Sequence, residues 1–195
     1  MTETSSAALA PPLPPYSETV RPEWVDYNGH MNVAYYVLVF DHATDALLDA
    51  VGIGESYRRA ERGSLFIVEA HVAYAHELHA GDPVRIETQI LGHDDKRLHA
   101  FLRMFHAGRA GESSCEGTPN GVTRALNDAP LSGRGELAAT YEILGLHVDM
   151  KSRRAAPFPE FARERIRALA ALHASLPWPA VAGRGVSLRA RRNLP

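Results

Sequence analysis

The fold of this chain is decided by the stretch from Trp24 to Tyr36, whose sequence is WVDYNGHMNVAYY. It places one carboxylate, two amides and one imidazole in a turn, and apolar residues then recur at three- and four-residue steps as far as Val51. That spacing predicts a helix from about Asn32 to Val51 with one buried face, ended by Gly52 and Gly54. The predicted buried positions are Val33, Tyr36, Val37, Phe40, Thr44, Leu47, Leu48 and Val51. The opposite side carries Asp41, Asp45 and Asp49.

The turn before this helix contains the groups that an acyl-transfer site needs. A helix N-terminus leaves backbone N–H groups unpaired, so it would polarise a carbonyl placed there and stabilise the developing oxyanion. Gly29 allows a ligand or another backbone to approach, and Asp26 would face the same carbonyl carbon as a base or a nucleophile. Asp and Asn are also ordinary turn and cap residues, so a structural turn stays open as the alternative.

Composition indicates one globular domain with terminal appendages. The 195 residues carry a net charge of -2, which argues against a general nucleic-acid binder, and a single cysteine, Cys115, which argues against a disulfide framework. No apolar run is long enough to cross a bilayer, so we expect no membrane partner and a cytoplasmic location. Residues 1–15 are proline-rich without a basic start, which predicts a flexible lead-in rather than a secretory signal.

After the helix, alternating apolar and polar residues predict strands. Together with a first strand over 16–25, we expect strands over 65–74, 84–90, 97–105 and 137–149. In the strand over 65–74, the face with Phe66, Val68, Ala70, Val72 and Tyr74 is the better core candidate. Residues 107–136 break the pattern and are interpreted as an insertion. The predicted class is α+β, with a long central helix wrapped by a curved antiparallel sheet of about five strands.

The chain beyond Asp149 is expected to form a basic C-terminal extension over 150–195. It contains a predicted short helix from Glu160 to Leu176. The positions expected to point inward are Ile166, Leu169, Leu172 and Leu176. Although the chain has ten histidines, no paired cysteines or regularly spaced histidines indicate a metal site.

The motif Asp-x-x-Gly-His-x-Asn-x-x-Tyr-Tyr, from Asp26 to Tyr36, resembles the hotdog-fold acyl-CoA thioesterases of the 4-hydroxybenzoyl-CoA thioesterase type. Within that family the chain resembles in particular the betainyl-CoA thioesterase-like proteins of carnitine breakdown. The resemblance covers a hotdog domain over 16–149, minus the insertion. Further segments that carry it are Val68–His71, Gly81–Val84, Lys96–His99 and Leu146–Asp149.

The resemblance implies a hydrolase that needs no cofactor and takes a small acyl-CoA as substrate. Asp26 matches the motif carboxylate, which serves as general base or nucleophile, and Gly29 matches the motif glycine. The backbone amide of Val33 matches the helix-start donor that polarises the thioester carbonyl. Because hotdog enzymes build each site between subunits, a homodimer or homotetramer is expected, with Glu69 or His71 of a neighbour completing the site.

Other residues are predicted to contact the substrate. The hairpin residues Lys96 and Arg97 are candidates for the CoA phosphates. The candidates around the acyl group are the polar residues Asn28, His30 and Asn32 and the aromatic residues Trp24, Tyr27 and Tyr36. Aromatic faces would suit a trimethylammonium group, although packing is the commoner role of such rings.

Two other functions stay open from the sequence. Asp26 and His30 also resemble the Asp–His dyad of hotdog enoyl-CoA hydratases, although Gly29 stands where that family has proline. The second alternative is a non-catalytic acyl-CoA-binding module, in which Asp26 would be a turn residue.

Overall fold

The computed structural model describes residues 13–60, 62–108 and 135–186, and these form the predicted α+β arrangement. The strands are β1 (Tyr16–Thr19), β2 (Gly63–Tyr74), β3 (Pro83–His93), β4 (Arg97–His106), β5 (Glu136–Asp149) and β6 (Arg154–Ala155). The helices are α1 (Val33–Val51), α2 (Glu55–Arg59) and α3 (Glu160–His173), with a 3-10 turn over Pro22–Trp24.

The sheet is antiparallel throughout, and its order is β1-β3-β4-β5-β2, with β6 added to the end of β5. Strand β2 therefore lies at one edge of the sheet. Helix α1 packs against one face, which we call the inner face, and its Phe40 ring stacks on Tyr141 of β5 at 5.1 Å. This buries a continuous apolar core between α1 and the inward residues of β3, β4 and β5.

Helix α1 has the predicted bounds because both of its ends are capped. The Asn32 side chain accepts the Ala34 N–H at 3.0 Å, and Gly52 ends the helix with a φ of 86°. The predicted burial of Val33 was wrong, since this residue is 57% exposed. Val33 lies in the first turn, where its carbonyl accepts the Tyr74 hydroxyl beside the free edge of β2.

Two predicted strands differ from the observed ones. The first strand ends at Thr19 rather than near Val25, because Pro22 starts the 3-10 turn. In β2, a bulge between Ile67 and Glu69 shifts the alternation, so Val68 is 54% exposed instead of buried. The predicted core face of β2 was therefore wrong before the bulge. After the bulge Val72 packs against the core, whereas the predicted core residues Ala70 and Tyr74 are exposed.

The C-terminal extension covers parts of the sheet that β1 and α1 leave open. Strand β1 pairs with β3 only as far as Ile86, and beyond it the Ile90 N–H donates to the His173 ring of α3. Ile166 of α3 enters the core as predicted, whereas Leu172 is 57% exposed because His173 takes the inward position. The segment that follows crosses the outer face of the sheet, where Val181 packs on Phe101.

Some predictions fall where the structure gives no description. Residues 109–134 of the predicted insertion and 1–12 of the predicted lead-in lie outside the described residues. Among the helices of the described ranges, none has the length and apolar character that a membrane crossing requires.

Candidate active site

The turn that holds Asp26 is a small closed loop. Val25 and Met31 form an antiparallel bridge at its base. Within it, the Asp26 N–H donates to the His30 carbonyl and the Gly29 N–H donates to the Asp26 carbonyl, both at 3.0 Å. Gly29 has a φ of 85°, a conformation that residues with a side chain rarely adopt. The sequence therefore fixes this loop through a glycine at the one position that needs it.

Only one of the two carboxylate oxygens of Asp26 forms a hydrogen bond within the loop. Its Oδ1 accepts the Asn28 N–H at 2.8 Å, which is the usual bond of an Asx turn. Its Oδ2 has no hydrogen-bond partner among residues 13–60, 62–108 and 135–186. Asp26 thus combines a fixed position with one oxygen that is free to accept a proton or attack a carbon.

The first turn of α1 offers one free backbone donor. The Ala34 N–H is taken by the Asn32 side chain, and the Tyr35 N–H donates to the Asn32 carbonyl at 2.9 Å. The Val33 N–H has no acceptor within the described part of the chain, and its residue is largely exposed. Asn32 is thereby a cap whose side-chain oxygen is occupied, and Val33 presents the donor at the helix start.

A second loop, over residues 75–82, contacts the Asp26 turn and holds it in place. The Met31 N–H donates to the Leu78 carbonyl at 2.7 Å. The His30 Nε2 lies 3.1 Å from the Glu77 carboxylate, and the His30 and His79 rings meet edge to face at 5.5 Å. His30 thus connects the turn to this loop.

Further acidic groups and imidazoles gather at this end of the sheet. His76 lies 2.6 Å from Glu136, and His106 lies 3.2 Å from Asp82. Sequence analysis missed this cluster, because its members come from three separate segments and had no common spacing. The only signal in the sequence was the number of histidines, whose spacing is irregular.

The three aromatic candidates do not converge on one place within the chain. Trp24 is buried, stacks on Tyr35 at 5.5 Å and carries the Arg21 guanidinium 4.9 Å from its ring centre. Tyr36 is also buried and donates to the His76 carbonyl, and burial raises the pKa of its phenol. Tyr27 is 98% exposed. Trp24 and Tyr36 therefore have packing roles, and only Tyr27 presents a free ring.

Glu69 and His71 lie on the outer face of the sheet, away from α1. They line a cavity of about 440 Å³ together with His99 and Glu142. In this cavity the Glu142 carboxylate contacts the His99 ring at 2.8 Å and accepts the Gly183 N–H at 2.7 Å. The structure does not bring Glu69 or His71 to Asp26 of the same chain.

Lys96 and Arg97 are also remote from Asp26. They lie at the β3–β4 hairpin, whereas the Asp26 turn adjoins the opposite end of β3. At about 3.3 Å per residue, β3 separates the two ends by roughly 33 Å. The Arg97 side chain is in addition held by Asp94 at 2.6 Å.

Comparison with known proteins gives the family. Residues 20–166 match the family model of the thioesterase-like superfamily. The betainyl-CoA thioesterase of Pseudomonas aeruginosa is 38% identical over 176 residues, which cover 90% of this chain and 95% of that protein. The L-carnitine dehydrogenase/betainyl-CoA thioesterase of Agrobacterium fabrum is 37% identical over 90% of this chain, and the match spans only 30% of that longer protein.

Solved structures give the fold. A hypothetical protein from Staphylococcus aureus in complex with CoA has a TM-score of 0.71 at 24% identity, covering 90% of this chain and 94% of the other. A putative thioesterase from Pseudomonas putida has a TM-score of 0.67 at 35% identity, covering 90% and 96%. The predicted hotdog fold is confirmed. The chain belongs to the thioesterase-like superfamily.

Proposed function

We propose that this protein is an acyl-CoA thioesterase, which hydrolyses a small acyl-CoA to the free acid and CoA at the Asp26 turn. One observation carries the proposal. The free carboxylate oxygen of Asp26 and the free N–H of Val33 lie at the two ends of one turn, closed by the Val25–Met31 bridge. A nucleophilic or basic oxygen beside an electropositive helix start is what thioester hydrolysis needs.

The chain's own groups account for each step of the reaction. The thioester carbonyl oxygen accepts the Val33 N–H, so the negative charge that develops there is stabilised. Asp26 either takes a proton from water as the water oxygen adds to the carbonyl carbon, or adds to that carbon itself. The carbon–sulfur bond then breaks, and the CoA thiolate leaves and takes a proton. On the second route this leaves an acyl-aspartyl anhydride, which water hydrolyses to the free acid and the restored Asp26 carboxylate. No cofactor is needed, since water supplies the oxygen.

The two routes differ in where oxygen from the solvent is found after one turnover. In heavy-oxygen water, attack by activated water places the label in the product acid and leaves Asp26 unlabelled. Label in the Asp26 carboxylate would exclude that route and identify an acyl-aspartyl intermediate.

The acyl group that we propose is betainyl. Support comes from the identity of 38% to the Pseudomonas aeruginosa betainyl-CoA thioesterase over almost the whole length of both chains. The exposed ring of Tyr27, next to Asp26, is available to a trimethylammonium group. A cytoplasmic location is part of the same proposal, because one cysteine gives the chain no internal disulfide that an oxidising compartment would maintain.

We also propose that the working unit contains a dimer joined through β2. This strand has a free edge, and exposed apolar side chains lie along it or beside it. They are Phe66, Val68, Tyr74 and Val33, which are 37%, 54%, 39% and 57% exposed. A free edge with apolar neighbours is the kind of surface that folded proteins cover. The same pairing leaves Glu69 and His71 of both copies on the outer face, opposite α1.

The experiment is release of CoA thiol from betainyl-CoA, short straight-chain acyl-CoAs and aryl-CoAs. Asp26→Asn keeps the shape of the turn and removes the charge, and we expect it to lower kcat by at least about 100-fold. Asp41→Asn, at an exposed position of α1, is the matched control and should leave kcat unchanged.

Each failure has its own meaning. Equal rates for Asp26→Asn and the wild type would remove Asp26 from the mechanism. Absence of thiol release from every substrate with the wild type would reject hydrolysis. Enoyl-CoA hydration and CoA-ester binding would then be measured in its place.

A further inference from the structure

The segments around the Asp26 turn carry a surplus of negative charge. Residues 13–31, 74–82 and 135–136 meet at this end of the sheet, and they contain six carboxylates but one arginine. We call these carboxylates the acidic end; they belong to Glu18, Glu23, Asp26, Glu77, Asp82 and Glu136. Such a surface attracts a substrate that carries positive charge close to its thioester.

One of these carboxylates, that of Glu77, contacts the turn and is also open to solvent. Its Oε2 lies 3.1 Å from the Nε2 of His30, and its side chain is 65% exposed. By contrast, the Asp82 carboxylate accepts the His79 N–H at 2.8 Å and lies 3.2 Å from the buried His106. A neutral His30 ring donates one N–H to Glu77, which fixes the carboxylate and leaves its negative charge in place. Glu77 is thus a charged group held beside the Asp26 turn.

The turn also presents an aromatic ring. Tyr27 directly follows Asp26 and is 98% exposed, and its ring contacts no other ring or cation within the described ranges. A quaternary ammonium has no N–H to donate, so it is bound by aromatic faces and by carboxylates that act through charge alone. Tyr27 and Glu77 supply one group of each kind.

The short reach of a betainyl group keeps its cation at this turn. Two bonds of about 1.5 Å join the nitrogen to the carbonyl carbon, so the charge lies roughly 2.5 Å from the carbon that faces Asp26. The groups that contact the turn therefore determine its electrostatic environment. At a separation of about 6 Å and an effective dielectric constant of about 40, one carboxylate strengthens the binding of a unit cation about tenfold.

We infer that Glu77 selects a cationic acyl group, by holding its carboxylate beside the ammonium of an acyl chain whose thioester lies at the Asp26 turn. The Tyr27 ring contributes to binding the same cation. The inference rests on the proposed function, and it makes Glu77 a determinant of specificity rather than a catalytic residue. A neutral acyl group of the same shape gains from neither contact.

The first test compares betainyl-CoA with tert-butylacetyl-CoA, in which a carbon atom replaces the charged nitrogen and the shape is retained. Glu77→Gln keeps an acceptor for the His30 ring and removes the charge. It should lower kcat/KM for betainyl-CoA about tenfold and leave kcat/KM for the neutral substrate within about twofold of the wild type. Glu164→Gln, at an exposed position of α3, is the matched control and should change neither value.

Two results of this test would overturn the inference. Equal losses for both substrates would mean that Glu77 acts through the shape of the turn, and an unchanged ratio would mean that its charge does not select the acyl group. A third comparison uses Glu23→Gln, which removes another exposed carboxylate of the acidic end. A larger loss of selectivity in Glu23→Gln than in Glu77→Gln would also overturn the assignment.

The second test removes the aromatic ring. Tyr27→Leu should lower the ratio of the two kcat/KM values, betainyl-CoA over the neutral substrate, about threefold, whereas Tyr27→Phe should retain the wild-type ratio. An unchanged ratio in Tyr27→Leu, or an equal fall in both variants, would exclude the ring from binding the cation. Failure of the proposed function is distinct from all these outcomes, since the wild type would then release thiol from neither CoA ester.

Discussion

The stability of this protein should depend on keeping one buried histidine neutral. His173, at the end of α3, is 2% exposed, and its Nδ1 accepts the Ile90 N–H at 3.1 Å. A protonated ring could not accept that bond. Burial, with the nearby charge of Arg103 as a second cause, lowers the pKa of His173 from 6.5 to about 4.

The sign and size of the effect follow from linkage. In the unfolded chain His173 binds a proton below about pH 6.5, whereas in the folded protein it resists protonation down to about pH 4. Its contribution to stability is therefore complete above pH 6.5 and is lost as the pH falls towards 4. At pH 4.5 the loss amounts to about 2–3 kcal/mol.

The assay is denaturant unfolding of the wild type and of His173→Asn at pH 7 and pH 4.5. Asn retains an acceptor near the position of Nδ1 and does not titrate. Between the two pH values, the wild type should lose about 2–3 kcal/mol more free energy of unfolding than the variant, since all other groups titrate in both. His93→Asn, at an exposed position at the end of β3, should lose as much as the wild type.

Equal losses for wild type and His173→Asn would refute the reasoning. They would mean that the His173 ring accepts a proton in the folded state as easily as in the unfolded chain. The hydrogen bond from the Ile90 N–H to Nδ1 would then contribute nothing to the attachment of α3 to the free edge of β3.

Three further predictions concern α1 and the turn before it. Phe40→Ala empties a fully buried site on Tyr141 and should lower the free energy of unfolding by about 3–5 kcal/mol in a urea titration, whereas Phe40→Leu should cost less. Asn32→Ala removes the cap bond to Ala34 and should cost about 1 kcal/mol by the same titration, and Asn32→Asp should restore most of it. Gly29→Ala has open space for the added methyl group but a φ of 85°, so it should cost about 1 kcal/mol in thermal unfolding, and an unchanged melting temperature would contradict this.

The helices and strands that were predicted correctly are those in which the spacing of apolar residues is uninterrupted. Helix α1 has nineteen residues between a capping Asn32 and a closing Gly52, and its period was sufficient to place both ends. Strands β3 and β4 alternate cleanly and were also placed. In β2 the alternating pattern did not predict which side chains are buried. The bulge after Ile67 depends on the pairing of β2 with β5, and the sequence of β2 alone carries no information on that pairing.

Burial on the outer face could not be predicted, because it depends on the C-terminal extension. Gln89 and Arg103 alternate with apolar residues and would be expected to meet water, yet they are 2% exposed. Gln89 accepts from Arg103 at 3.0 Å and donates to the Pro177 carbonyl at 3.2 Å. Pro177 is 88 residues from Gln89 in the sequence, so no local pattern predicts the contact.

The candidate site also has a part that the local sequence predicted and a part that it did not. The Asp26 turn and the helix start at Val33 are local and were predicted from adjacent residues. The loop over 75–82 was not predicted to contact the turn, because the two segments are brought together only in the folded chain.

The most direct test of the central claim is a crystal structure of Asp26→Asn with uncleaved acyl-CoA bound. We expect the thioester carbonyl oxygen within hydrogen-bond distance of the Val33 amide and the carbonyl carbon facing the amide group that replaces the Asp26 carboxylate. A thioester bound away from the first turn of α1, for example in the outer-face cavity beside Glu142, would contradict the account.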